Sequence, residues 1–277
     1  MANPRMCPHC RAFIDPKARV CPYCENEVGK PAWTRQEAGT ALRGLIPQTH
    51  FTTVIILTLN FGLFVASLIL SMKLSGEGGG MLSIPVQVLV VFGAKYAPPM
   101  VREEQWWRLV TAGFLHGGVF HILMNSWVLL DLGSHAEQVF GTARYLVIYL
   151  VASVFGFVAS LFWSPMIPSI GASAAACGLI GAMMAYGYRS GSGMIWSFYL
   201  RWILLIAVIG LLPGFNIDNA AHFGGFAAGF AMAYLAGTPR VAGPGETIWS
   251  VAAGAAVAVV AVSFVLAYQS LSRVLTF

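Results

Sequence analysis

The chain has 277 residues, of which 57% are hydrophobic and only 10% are charged, and its mean hydropathy is +0.72. Water-soluble globular domains of ordinary composition are much less apolar, so we exclude a soluble enzyme or binding module and predict an integral membrane protein. The net charge of +5 is explained by the membrane topology argued below, and we therefore expect no nucleic-acid partner.

The first 28 residues contain two Cys-x-x-Cys turns, Cys-Pro-His-Cys and Cys-Pro-Tyr-Cys. Two such turns bring four thiolates into a tetrahedron around Zn²⁺, and the metal stabilises a segment too small for a hydrophobic core. We therefore predict a structural zinc ribbon over residues 1–28, with Cys7, Cys10, Cys21 and Cys24 as metal ligands. Two disulfides are the alternative, but disulfides are rare on the reducing side of a membrane.

Residues 29–49 have mixed polarity and read as a linker into the membrane. Because the chain opens on a polar stretch instead of a short apolar one, we predict no cleavable secretory peptide and place the ribbon in the cytoplasm. A cytoplasmic partner of the ribbon is a further hypothesis, which the sequence leaves open.

Seven apolar stretches follow, each of roughly the 20 residues that a helix needs to cross a bilayer. They lie near residues 51–72, 117–134, 142–163, 171–189, 195–212, 220–236 and 247–269. With a cytoplasmic N-terminus, the second, fourth and sixth begin at the outer surface and the C-terminus lies outside. Eleven of the 16 Lys and Arg residues then fall inside, in agreement with the positive-inside rule.

Ser173 and His222 each stand at the start of an apolar stretch, in Gly-Ala-Ser-Ala and Ala-His-Phe-Gly-Gly. Hydrocarbon does not solvate a hydroxyl or an imidazole, so such groups are functional candidates. A serine becomes a good nucleophile when a neutral imidazole takes its proton, and we predict this pair of roles for Ser173 and His222. Because neither stretch contains Asp or Glu, we predict a dyad, with Asp218 as an alternative group that orients the ring.

Small residues surround both candidates. Gly225 and Gly229 lie on the helical face of His222, and Gly171 lies just before Ser173. Small residues permit the close helix approach that a hydroxyl-to-imidazole hydrogen bond requires. The alternative for Ser173 taken alone is a packing position without chemistry.

Acyl transfer also needs donors for the negative oxygen of the tetrahedral intermediate. His121 and Asn125, four residues apart in the second stretch, present a ring nitrogen and a carboxamide on one helical face. We predict an oxyanion site from these two groups and the backbone N–H of Ser173, with His116 as a further member. The alternative is that Asn125 binds a neighbouring helix and that the histidines only pack.

Four motifs together resemble the rhomboid intramembrane serine proteases, over residues 50–240. They are Gly171-Ala172-Ser173, Ala221-His222 with Gly225 and Gly229, His121 and Asn125 with His116 before them, and Trp107-Arg108 in the first outer loop. The chain departs from the family pattern after the serine, at Ala174 and Cys177; the second replaces an aromatic residue that packs on the imidazole in the family.

The resemblance implies an all-α membrane protein with a rhomboid-like six-helix core, residues 50–240, and one additional C-terminal transmembrane helix within residues 241–277. It implies hydrolysis of peptide bonds in or next to transmembrane segments of protein substrates in the lipid bilayer, without a cofactor for catalysis, in the bacterial inner (plasma) membrane. Two alternatives remain at this point: a non-catalytic rhomboid-like protein that binds membrane clients, and a transporter or channel.

Overall fold

The computed structural model describes residues 5–7, 12–15, 18–25, 28, 51–75, 83–212, 217–238 and 244–275, and its chain divides into two compact units, Met1–Gln48 and Thr49–Phe277. In the first unit, β1 (Arg5–Met6) pairs antiparallel with β2 (Phe13–Ile14). A small cluster forms beside this hairpin from Cys7, Ile14, Cys21 and Val28. The predicted linker, residues 29–49, and Cys10 lie outside the described residues.

The second unit is helical. In chain order its helices are α1 (Phe51–Ser75), α2 (Val86–Phe92), α3 (Ala97–Arg102), α4 (Arg108–Thr111), α5 (Val119–Val128), α6 (Ser134–Trp163), α7 (Ser173–Arg189), α8 (Gly193–Leu211), α9 (Asn219–Ala236) and α10 (Pro244–Leu275). A 3₁₀ turn, Ala112–Phe114, follows α4, and a π-helical turn, Leu129–Gly133, joins α5 to α6. The predicted all-α class is confirmed.

Helices occupy all seven predicted positions. In the described part of the chain, however, length and hydropathy alone identify only four helical stretches that could span a bilayer. They are Phe51–Lys73, Val119–Trp163, Gly193–Leu211 and Gly245–Val274. The helix α7 has 17 residues, and every residue from Ala174 to Ala185 is buried. A helix enclosed by other helices can be short and rich in Ala and Gly, because it faces protein instead of lipid.

The second and third predicted stretches differ in detail from the structure. The expected loop before residue 142 is helical from Ser134, and the break falls at Gly141, whose φ of 71° favours glycine. The added turn carries Glu137, whose carboxylate accepts the backbone N–H groups of Thr52 and Thr53, each at 3.2 Å. A carboxylate at a helix N-terminus satisfies donors that have no intrahelical partner, so this turn holds the start of α1.

Close backbone approach joins α6, α7 and α9. A Cβ added at Gly229 would overlap the backbone of Gly178 in α7, and one at Gly225 would overlap the carbonyl of Ala174. On the α6 side, a Cβ at Gly156 would lie 2.6 Å from the carbonyl oxygen of Ala221. Glycine at these places therefore sets the distance between the helix that begins with Ser173 and the helix that carries His222.

The last helix packs on α6 through an ion pair. The guanidinium of Arg144 donates two hydrogen bonds to the carboxylate of Glu246, at 2.5 and 2.9 Å, and lies 5.2 Å from the ring centroid of Trp249. Since Arg144 is buried, this bidentate pair fixes the first turns of α10 against the core.

Candidate active site

Ser173 is the first residue of α7. The loop before it requires glycine at position 171. Gly171 has a φ of +120°, and its N–H donates to the carbonyl of Ala112 at 2.9 Å. A Cβ at this position would lie 2.7 Å from Nε2 of His121. Both the backbone conformation and the lack of space therefore require glycine two residues before the serine.

His222 lies in the first turn of α9 and is 8% exposed. Asp218 is the N-cap of this helix: its Oδ1 accepts the N–H of Ala221 at 2.9 Å, and its carbonyl accepts the N–H of His222 at 3.1 Å. The cap fixes the backbone of the histidine directly, and the sequence Asp-Asn-Ala-Ala-His is a signal for such a cap.

The structure brings Ser173 and His222 together. Oγ of Ser173 and Nε2 of His222 are 2.8 Å apart, across 49 residues of sequence. In the described part of the chain no group binds Nδ1 of His222, so Asp218 acts on the helix and not on the ring. A hydroxyl in hydrogen-bond contact with an imidazole nitrogen is the geometry that general-base activation of serine requires.

The side chains of His121 and Asn125 reach the loop before the serine. The N–H of Gly117 donates to Nδ1 of His121 at 3.4 Å, which leaves the proton of the neutral ring on Nε2, the nitrogen that faces Gly171. Nδ2 of Asn125 donates to the carbonyl of His121 at 3.1 Å and would lie 3.7 Å from a Cβ at Gly171. Both groups therefore present N–H donors beside this loop.

His116 stands one step further away. Its ring is 1% exposed and meets the ring of His121 edge to face, with centroids 5.1 Å apart. The structure thus places His116 against His121, where it supports the orientation of that ring.

Trp107 and Arg108 lie in the connection between α1 and α5. The guanidinium of Arg108 donates to the carbonyls of Val90 at 2.6 Å and Ala94 at 3.1 Å, and it lies 4.8 Å from the centroid of the Trp107 ring. Burial lowers the pKa of Arg108 to about 10, against the opposing charge of Glu103. The Nε–H of Arg108 also donates to Oε1 of Gln105 at 2.7 Å. The Trp-Arg pair therefore holds this connection together through both backbone and side-chain partners.

The two departures after the serine fill space. Ala174 and Cys177 are each 1% exposed, and Ala174 packs against Gly225 of α9 and Gly156 of α6. The small side chains at these two positions leave room for α6, α7 and α9 to approach one another closely.

In the first unit, the thiols of Cys7, Cys21 and Cys24 lie within 4.8 Å of one another, close enough to hold one metal ion. The sulfur atoms of Cys7 and Cys24 are 3.8 Å apart, and the N–H of Tyr23 donates to the sulfur of Cys21 at 3.4 Å. Three converging thiols, one of which accepts a backbone N–H, fit a zinc site.

Residues 103–239 match the model of the Rhomboid domain family. The chain is 38% identical over 191 residues to the rhomboid protease GluP of Bacillus subtilis (strain 168), which covers 68% of this chain and 37% of that protein. It is 34% identical over 157 residues to RHOMBOID-like protein 4 of Arabidopsis thaliana, covering 53% and 38%. With the Rhomboid-like protease 3 of Toxoplasma gondii it shares 32% identity over 156 residues, covering 53% and 57%. The chain thus spans less than two thirds of each of these relatives.

Proposed function

This chain belongs to the rhomboid family, and from that membership we propose that it is an intramembrane serine endopeptidase. Its substrates are transmembrane proteins, and it hydrolyses peptide bonds in or next to their membrane-spanning segments. The observation that carries the proposal is the 2.8 Å contact between Oγ of Ser173 and Nε2 of His222.

The reaction proceeds in two halves. As Oγ of Ser173 attacks the carbonyl carbon of the scissile peptide, its proton passes to Nε2 of His222. The imidazolium then gives this proton to the departing amine, which leaves an ester between the serine and the N-terminal part of the substrate. Water, deprotonated by the same nitrogen, attacks the ester, and the proton returns to Oγ as the carboxylic acid departs.

Three donors support the proposed oxyanion site. They are Nδ2 of Asn125, Nε2–H of His121 and the backbone N–H of Ser173, which has no intrahelical partner because Ser173 is the first residue of α7. The helix dipole of α7 also favours negative charge at this end. Donors aimed at the developing charge contribute about 3 kcal/mol each in other acyl-transfer enzymes.

The proposed membrane topology places the dyad near water. The chain is an integral membrane protein, and we place its N-terminus in the cytoplasm and its C-terminus outside, in a bacterial inner membrane, as the distribution of Lys and Arg favours. The starts of α7 and α9 then lie just below the outer surface, where water for hydrolysis is accessible. Residues 50–240 form the peptidase core and 241–277 the additional helix.

The function is tested by cleavage of a model single-span substrate in proteoliposomes. We expect product from the wild type and none above background from Ser173→Ala or His222→Ala. Ser153→Ala is the matched control, because Ser153 is also a buried helical serine but lies in α6, and it should cleave like the wild type. Binding of the substrate without cleavage by the wild type would instead indicate a non-catalytic client-binding protein.

For the ribbon we propose one structural Zn²⁺ held by Cys7, Cys10, Cys21 and Cys24, with a cytoplasmic partner as a further part of the hypothesis. The convergence of the three described thiols supports it. Metal analysis of the purified chain should give about one Zn per chain. A Cys7→Ser, Cys10→Ser variant should lose the metal and Cys177→Ala should keep it; undiminished zinc in the double variant would contradict the site.

A further inference from the structure

A lysine is completely buried in the connection between α1 and α5. Lys95 has no exposed surface, and its Nζ donates to the carbonyls of Ile167 at 2.8 Å, Ser164 at 2.9 Å and, more weakly, Ser160 at 3.5 Å. These carbonyls lie at the C-terminal end of α6 and just beyond it, where the helix dipole is negative. A buried ammonium group is costly unless it is paired, so a nearby anion is expected.

The nearby anion is the carboxylate of Asp218. While Oδ1 caps α9 at Ala221, Oδ2 accepts the hydroxyl of Ser160, and the side chain of Ser169 further stabilises the charged carboxylate. Burial alone would raise the pKa of Asp218, but these hydrogen bonds and the positive charge of Lys95 outweigh it and lower that pKa. The carboxylate is therefore ionised at neutral pH.

Two serines connect the cation to the anion. Ser160 offers its carbonyl to Lys95 and its hydroxyl to Asp218. Ser169 forms a reciprocal backbone pair with Lys95, with N–O distances of 2.9 and 3.0 Å, and its side chain stabilises the charge of Asp218. We call Lys95, Ser160, Ser169 and Asp218 the Lys95 cluster.

The Lys95 cluster includes a residue shortly before each member of the dyad in the chain. Ser169 stands four residues before Ser173 in the loop that leads into α7, and Asp218 stands four residues before His222 at the cap of α9. The cluster therefore ties the nucleophile loop and the base helix to the same buried cation and to the end of α6.

We propose that the Lys95 cluster is a positioning device that fixes the distance between Ser173 and His222. The inference rests on the proposed function, since it concerns the geometry of that dyad. A displacement of about 1 Å in a reacting group can cost as much as a hundredfold in rate. In this proposal the four side chains act through Ser173 and His222, so all four are positioning residues.

Single variants at Asp218, Ser160 and Lys95, the double variant at Lys95 and Asp218, and a control at Ser153 test the proposal in the full-length protein in detergent. Asp218→Asn keeps a good helix cap but removes the charge. Ser160→Ala removes the link to Asp218, and Ser153→Ala, two turns earlier on α6, is its matched control because in the described chain the hydroxyl of Ser153 has no hydrogen-bond partner. For each variant, kcat and KM on the single-span substrate are measured together with the unfolding temperature.

The proposal predicts that kcat falls at least about tenfold in Asp218→Asn and Ser160→Ala, with KM within about twofold of the wild type. Ser153→Ala should match the wild type, and Ser160→Ala should unfold within about 4 °C of it. In Lys95→Met, Asp218→Asn the loss should be smaller than the product of the two single losses, because neither charge is then left buried alone.

Wild-type kcat in both Asp218→Asn and Ser160→Ala would overturn the proposal, as would losses in kcat that Ser153→Ala shares. Should Asp218→Asn not fold, Ser160→Ala decides the question. Failure of the proposed function looks different: the wild type itself then yields no product, or Ser173→Ala still cleaves.

Discussion

The helices α7 and α8 follow each other in the sequence but differ strongly in how much of their surface is buried. In α7 every residue from Ala174 to Ala185 is buried, and backbone atoms of α7 and α9 approach each other closely. Among the described side chains of α8, only Ile203 is buried. Ser173 and His222, whose relative position matters for the proposed chemistry, thus lie on closely packed helices, whereas the side chains of α8 are mostly exposed or half-buried.

The largest effect is expected from adding one carbon atom between α7 and α9, because this disturbs the close packing that α8 lacks. Gly229→Ala places a Cβ in the backbone of Gly178, so we expect a loss of about 1–3 kcal/mol in stability and of about a hundredfold in cleavage rate. Gly254→Ala in α10 is the control, because nothing lies within 4 Å of that position. Thermal unfolding measures the loss of stability, and cleavage of the single-span substrate measures the loss of rate. Equal stability and equal cleavage rate in the two variants would show that the close approach of α7 and α9 is unimportant.

Truncating a leucine in each helix sharpens the contrast. Leu179 in α7 has no exposed surface, and Leu204 in α8 is 56% exposed. We expect Leu179→Ala to lower the free energy of unfolding by about 2–5 kcal/mol and Leu204→Ala to change it by less than about 0.5 kcal/mol. Unfolding in mixed micelles gives both values, and similar losses would mean that α8 is packed as tightly as α7.

The smallest expected effect concerns the cap of α9. Because the pKa of Asp218 is lowered in the folded state, its charge stabilises the fold above the pKa of the unfolded chain, and this contribution is lost as pH falls through the folded pKa. The wild type should therefore be more stable than Asp218→Asn at neutral pH, and the difference in unfolding temperature should narrow progressively as the pH falls below about 4. A gap in unfolding temperature that stays constant over this range would contradict an ionised cap.

The sequence predicted the helix positions because hydropathy and length are local properties. It also indicated Ser173 and His222 as candidates for chemistry, since a hydroxyl and an imidazole are unusual in apolar stretches. Their contact spans 49 residues. The topology argument, which starts both helices at the outer surface, and the resemblance to the rhomboid proteases made it foreseeable.

The rest depends on contacts that no local pattern contains. Nothing in the sequence around Lys95 indicates a structural role, yet its Nζ donates hydrogen bonds to carbonyls 65 to 72 residues away. Glu137 binds the start of α1 across 85 residues, which explains why a predicted loop is helical. Buried charges of this kind are visible only after the fold brings their partners together.

The central claim is that the imidazole of His222 activates the hydroxyl of Ser173, and the rate of modification of Ser173 by a fluorophosphonate tests it most directly. Peptide mapping by mass spectrometry identifies the modified residue and gives its rate. We predict modification at Ser173 in the wild type and a rate lower by about 10²–10⁴-fold in His222→Ala. Equal rates in the two proteins, or modification at another serine, would contradict the account.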